Sequence, residues 1–315
     1  MSAAGATRER NGSGYRHEAL LYSGSAEFAA ATTSFIRRAL AAGGPVLVVV
    51  SADKISLLRR ELGAAAERVS FADMSEVGAN PARIIALWRA FADQHQDAPR
   101  LWGIGEPAYP GRTGRELAEC QLHEVLLNVA FDPAVPLYLL CPYDLEALAA
   151  DVIDGAQRAH PYLRQGERGG PSARFRPADL TDPFDRPRQP PPAAAARMAF
   201  APGGLGRLRE FVAAQARQAG LDQDQAATLV LAANEVATNS IRHGGGRGEL
   251  RAWREGRSAV VEVSDQGHIT APLAGRLAPG PAGPGGGLWL ANQVCDLVEV
   301  YSSAAGSAVR LYLNG

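Results

Sequence analysis

The sequence predicts two domains of different class: an α/β domain on a mostly parallel sheet, then a smaller α+β domain with helices on one face of a mixed, largely antiparallel sheet. Three observations predict it. At 315 residues the chain exceeds one typical core. Strand-like and helix-like segments alternate over 15–165, the pattern of a parallel sheet with crossover helices. An aperiodic stretch rich in Pro, Arg and Asp at 166–196 separates that block from residues 197–315, whose segments follow a different order. Residues 1–14 are polar and read as a disordered lead-in.

Within the first block, PVLVVVS at 45–51 is a continuous β-branched apolar run, as expected for a strand buried on both faces. The helical periodicity before it ends at Gly43–Gly44, a C-cap signal. Further strands are expected at 68–74, 100–106 and 137–144, with helices at 53–63, 81–97, 113–130 and 145–158. The triple proline at 190–192 marks the separating stretch as extended. In the second block a short strand at 198–202 leads into a helix at 204–220. A longer helix follows at 222–243, with Asp222 as its N-cap. Two strands turn at Gly256. After a Gly/Pro/Ala stretch at 271–286 come a helix at 287–295 and two closing strands.

Composition excludes several classes. The net charge of −1 offers no footprint for nucleic acid. No apolar run reaches membrane-span length and the N-terminus has no apolar signal core, so a cytoplasmic location is expected. Cys120, Cys141 and Cys295 are scattered, which argues against a disulfide framework or a CxxC zinc site. Lys54 is the only lysine and lies in SADKIS, so no P-loop exists anywhere in the chain.

The chemistry-bearing residues of the second block lie in three places. Glu235 and Asn239 are four apart in LAANEVATNS, on one face of the expected helix. A carboxylate there can orient a water or take a proton, and an amide oxygen can ligate Mg²⁺. Asp265 sits in the turn DQG, and GGGLWL at 285–290 opens a helix. Each motif alone is a common surface feature. In this order, and with the P-loop excluded, they are the parts of another kind of nucleotide site.

These motifs resemble the ATPase domain shared by histidine kinases and gyrase-type ATPases, the Bergerat fold, and most closely the short anti-sigma-factor serine kinases, over about 199–314. The resemblance implies a two-layer α/β sandwich binding ATP and Mg²⁺. It implies Asn239 as the metal ligand and Glu235 as the general base. Asp265 would accept from the adenine amino group, and Gly267 would let the ring approach. Gly285, Gly286, Gly287 and Leu288 would lie along the phosphates, with Ser307 near the adenine. Arg276, in the lid, could then swing onto a phosphate; Arg242 and His243 end the helix, either near the phosphates or simply as cations favoured at a helix C-terminus. A phospho-accepting helix pair is missing: the preceding position is the proline-rich stretch, with no His between His160 and His243. The implied chemistry is serine or threonine phosphorylation of a separate anti-sigma antagonist protein, sequestration of a sigma factor, or both. A non-catalytic ATP-binding switch and an atypical sensor histidine kinase are the alternatives. Relatives of this domain often dimerise.

The first block carries HEALLY (17–22), FADM (71–74), NPARI (80–84), GIGEPAYPGR (103–112), HEVLLN (123–128), LLCPYD (139–144) and AHPYL (159–163). These resemble the MEDS sensory domain over about 15–165, which implies a RecA-like parallel sheet without Walker motifs and a small-molecule ligand. Open α/β sheets place ligands at the carboxyl ends of their strands. That makes Glu106, His123, Glu124, Cys141 and Tyr143 the candidate sensory-pocket residues. Among them Glu106, His123 and Cys141 also form a candidate metal trio, set against the ordinary role of such groups as buried packing and hydrogen-bonding residues.

Overall fold

The computed structural model describes residues 14–166, 168–177, 181–279 and 286–315. Its elements in chain order begin with β1 (Arg16–Tyr22), α1 (Gly24–Ala41), β2 (Val46–Val50), α2 (Ala52–Leu62), β3 (Ser70–Asp73), α3 (Met74–Val77), α4 (Ile84–Gln94) and β4 (Leu101–Gly105). Then come α5 (Gly114–Ala130), β5 (Leu137–Asp144), α6 (Ala150–Ala159), β6 (Tyr162–Gln165) and β7 (Arg168–Pro171). The rest of the chain forms β8 (Ala196–Phe200), α7 (Leu205–Gln218), α8 (Gln223–His243), β9 (Gly248–Glu255), β10 (Ser258–Asp265), α9 (Gly286–Val294), β11 (Leu297–Ser303) and β12 (Gly306–Asn314). The chain divides into two compact units. One holds the described residues up to Met74, Ala90–Pro110 and Ala130–Phe175. The other holds Ser75–Arg89, Gly111–Val129 and the described residues from Arg176 on.

The first unit carries a seven-stranded sheet of order β3-β2-β4-β5-β1-β6-β7, parallel except for the β6–β7 pair. The α/β expectation holds. Its inner strand β1 was not among the expected strands, because His17 and Glu18 interrupt what would read as a buried apolar run. Both are nonetheless buried, as are the four residues after them. Alternation sorts β1 and β5 into two faces. Leu20, Tyr22, Tyr138 and Leu140 join Phe28, Phe35 and Ile36 of α1 in one core cluster. His17, Ala19, Leu21, Leu139, Cys141 and Tyr143 point the other way, with Ala19 paired to Cys141 across the ladder.

The second unit carries a five-stranded sheet of order β11-β12-β10-β9-β8. Every pair is antiparallel, where a mixed sheet was expected. Helices α7 and α8 pack together and on this sheet, making the two-layer α+β arrangement. One sheet face carries a small apolar cluster of Val260, Leu297 and Tyr312 with Trp253. In register beside it runs a charge ladder, Arg251, Glu262, Arg310 and Glu299. Arg310 and Glu262 are buried and paired at 2.6 Å. Arg188 adds a second cation to Glu262 at 2.8 Å. The proline-rich stretch thereby holds to the sheet: Ser302 N donates to the Phe184 carbonyl at 3.0 Å, Arg186 Nε to the Val300 carbonyl at 3.3 Å, and Arg310 to the carbonyl of Gln189.

Candidate functional site

Helix α8 is the backbone of the site. Asp222 accepts from the Gln225 N–H at 2.8 Å while the Gln225 side chain accepts from the Asp222 N–H at 2.9 Å, a reciprocal capping box that fixes where the helix starts. Three turns on, Glu235 and Asn239 share a face and are both half-buried. Gly287, in the first turn of α9, lies against them. A Cβ there would stand 2.9 Å from Asn239 Nδ2 and 3.2 Å from Glu235 Oε2. Only glycine lets the first turn of α9, at the positive end of the helix dipole, come this close to the carboxylate and the amide.

Asp265 ends β10, directly across the ladder from Ser307 on β12. Its Oδ1 accepts from the Gly267 N–H at 2.7 Å and from Ser307 Oγ at 2.8 Å. Gly244, just past α8, packs against the same carboxylate: a Cβ on it would sit 2.3 Å from Asp265 Cγ. Gly267 is equally close to the end of α8, with 3.0 Å between its ideal Cβ and both Gly244 Cα and the His243 carbonyl oxygen. Two missing side chains and two hydrogen bonds therefore hold Asp265 in one orientation.

Asn239, Asp265, Gly267, Leu288 and Ser307 line a common cavity of about 540 Å³, within the range of small-molecule sites. Glu235 stands beside it through Gly287. Gly286 begins α9, and Gly285, expected along the phosphates, lies outside the described residues. His243 also lines the cavity, whereas Arg242 is exposed and not part of the lining. Leu273, Ala274 and Leu277 form an apolar wall, held by the Asn292 side chain donating to the Gly275 carbonyl at 3.0 Å. Arg276 overturns an expectation. It is 2% exposed and bound to Glu119 at 2.7 Å, so it is not poised to swing onto a ligand. The same carboxylate also takes Arg186. The sequence reading does not single out Gly244, whose signal is the HGGG run that closes α8.

The donor set fits a magnesium nucleotide. Asn239 supplies a neutral hard oxygen, Glu235 a carboxylate, Asp265 a fixed acceptor at the far end, and α9 a helix N-terminus approached through glycine.

Of the candidate metal trio, Glu106 and Cys141 belong to the first unit and have different partners, whereas His123 belongs to the second. Glu106, just past β4, is buried. It accepts from Tyr22 Oη at 2.8 Å and pairs with Lys54 at 2.5 Å. Burial raises the Glu106 carboxyl above its ordinary value even though Lys54 pulls the other way; burial, then Glu106, raises the Tyr22 hydroxyl. Cys141 lies elsewhere, with its Sγ 3.5 Å from His17 Nε2. Tyr143 is two residues on along β5, in edge contact with the ring of His160. His123 and Glu124 are buried on α5.

Residues 16–161 match the model of the MEDS domain (methanogen/methylotroph, DcmR sensory domain). Residues 198–313 match the histidine kinase-like ATPase domain. The chain joins a MEDS domain to a histidine kinase-like ATPase domain. No curated protein matches it. Among solved structures it is similar to "The crystal structure of the RsbU and RsbW domains of Rv1364c from Mycobacterium tuberculosis", at 15% identity and a TM-score of 0.31, over 66% of this chain and 50% of that one. The chain thus spans half the length of that relative. The matched ATPase region includes α8, the turn after β10 and the start of α9.

Proposed function

We propose that the ATPase domain binds ATP with Mg²⁺ in the cavity between α8, α9 and the β10 turn. On this reading it transfers the γ-phosphoryl group to a serine or threonine hydroxyl of a separate protein. The observation that carries this is the convergence of Asn239, Asp265, Gly267 and Ser307 on one cavity, with Glu235 and Gly287 in contact beside it. Asp265 accepts from the adenine amino group with the oxygen not engaged by Gly267 and Ser307. Asn239 would hold Mg²⁺, which neutralises phosphate charge when bound. Glu235 receives the proton of the attacking hydroxyl, and ADP leaves through the glycine-lined side. The resemblance of LAANEVATNS, DQG and GGGLWL to the motifs of anti-sigma serine kinases supports an anti-sigma antagonist as the phosphate acceptor, a sigma factor as a sequestered partner, or both. Action as a cytoplasmic homodimer belongs to the same reading. No helix among the described residues is long and apolar enough to cross a membrane.

One observation favours a second reading, a non-catalytic switch in which ATP only shapes a partner surface. The single arginine of the 268–286 segment is locked onto Glu119, so the segment offers the phosphates no free guanidinium. Glu235→Gln in the full chain decides between the two. With γ-labelled ATP and the proteins that co-purify with the chain, the kinase reading expects label on serine or threonine with the unchanged chain. In Glu235→Gln it expects roughly a hundredfold slower transfer at nearly unchanged ATP affinity. Label that never leaves ATP, with partner capture still ATP-dependent in both forms, establishes the switch instead.

A further inference from the structure

We propose that His17, Cys141 and His160 of the first unit form a binding site for a borderline-soft divalent transition metal of the zinc class. Its three residues belong to a different unit from the residues of the nucleotide cavity, and the inference rests on none of the reading above.

The three side chains come from different parts of the chain and meet on one face of the sheet. His17 lies on β1 and Cys141 on β5. The register pairs Ala19 with Cys141, so alternation brings His17 to the same face as the thiol, two residues down the neighbouring strand. His160 follows α6 directly as its C-cap. Its ring lies over that of His17, centroids 4.0 Å apart and tilted by 41°. All three residues are at most 1% exposed. One ligand atom from each lies within 4.8 Å of the others.

Two details distinguish this group from an ordinary buried polar cluster. The first is the tautomer of His160. Its Nδ1 stands 2.8 Å from the Ala156 carbonyl. A carbonyl can only accept, so Nδ1 carries the proton and the lone pair falls on Nε2. A ring N–H given to a backbone carbonyl is the arrangement that orients metal-bound histidines. The second is distance. Tetrahedral coordination with a metal–sulfur bond of about 2.3 Å and a metal–nitrogen bond of about 2.0–2.1 Å separates the two ligand atoms by roughly 3.5 Å. Cys141 Sγ and His17 Nε2 are 3.5 Å apart.

On that face Ala19, Leu21 and Leu139 are apolar and buried, and Tyr143 packs edge-on against the His160 ring. Apolar residues at 17, 141 and 160 would serve packing as well, so two imidazoles and a thiol are chemistry the fold does not require. A thiolate with two imidazoles suits Zn²⁺ and Co²⁺ and disfavours Mg²⁺ and Ca²⁺. Binding converts the Cys141 thiol to a thiolate, and its proton leaves to solvent.

The test uses the full, untagged chain, stripped of metal with a chelator and titrated with Co²⁺ and then Zn²⁺. The expected result is one equivalent of Co²⁺ bound with a thiolate-to-cobalt charge-transfer absorption, which Zn²⁺ displaces. Cys120→Ser and Cys295→Ser keep the absorption, Cys141→Ser removes it, and His160→Gln weakens the affinity by at least about tenfold. The proposal is overturned if the unchanged chain binds no Co²⁺, binds it without a thiolate band, or if the band survives Cys141→Ser. The unchanged chain alone gives the first two outcomes, so the result does not depend on how any variant folds.

Discussion

Asp265 is fixed before any ligand arrives, because one of its oxygens already holds the Gly267 N–H and the Ser307 hydroxyl. Asp265→Asn can keep both bonds through its amide oxygen, but it turns an NH₂ toward the cavity where an acceptor stood. Folding stability should change little. ATP affinity, read by calorimetric titration, should fall about ten- to a hundredfold, the worth of a charge-assisted bond. Gly287→Ala acts on the other end. Its methyl would stand 2.9 Å from Asn239 Nδ2, so α9 must back away from α8. Weaker binding of ATP with Mg²⁺, with a smaller effect on metal-free nucleotide, is the expected outcome in the same titration. Glu235 and Asn239 were legible because a four-residue spacing on a helix is a geometric statement. Gly244 was not, since its role is to leave room for a carboxylate some twenty positions later. Arg276 was misread because composition shows a cation in a loop and cannot show the Glu119 that binds it.

Among the elements, α8 was the most legible, and its start can be tested directly. Asp222→Ala removes one half of the capping box and should cost about 1 kcal/mol, seen as a lower denaturant midpoint with an unchanged slope. Strands β2 and β5 were visible as apolar runs, and both are buried along nearly their whole length. β1 escaped notice although it lies inside the sheet, between β5 and β6. Its His17 and Glu18 break the apolar pattern, and their burial becomes reasonable only with partners that include side chains of distant strands. Glu18 takes Arg16, Arg164 and Tyr138; His17 takes Cys141. Strand β7 was hidden for a different reason. RGGP has no strand propensity, and antiparallel pairing with β6 alone gives it its form.

On the scale of the molecule, each unit holds buried charge that its own contacts must neutralise. In the second, Glu119 is buried and meets both Arg276 and Arg186. Glu119→Gln leaves two guanidiniums short of a carboxylate, and the loss should be about 3–5 kcal/mol in chemical denaturation. Glu119→Gln combined with Arg276→Met should recover part of it. Burial also pushes the Cys120 and Cys295 thiols up to about 12. In the unfolded chain they titrate near ~8.5. The stability gained by keeping them neutral is therefore complete below that value and drains away as pH rises toward about 12. At pH 8–9 both should resist alkylation in the folded chain and react at once after unfolding, as peptide mass analysis of labelled protein can show.

The Lys54–Glu106 pair has a practical consequence. Because no other lysine exists in the 315 residues, every amine-directed reagent has a single side-chain target. An acylating dye or cross-linker attached at Lys54 reports on the carboxyl ends of β1 and β4. Its labelling rate becomes a clock for how often Glu106 and Tyr22 release the ammonium. A small molecule that enters the sensory domain at those strand ends should change that rate, which would make the sensor's ligand searchable without knowing what the ATPase acts on.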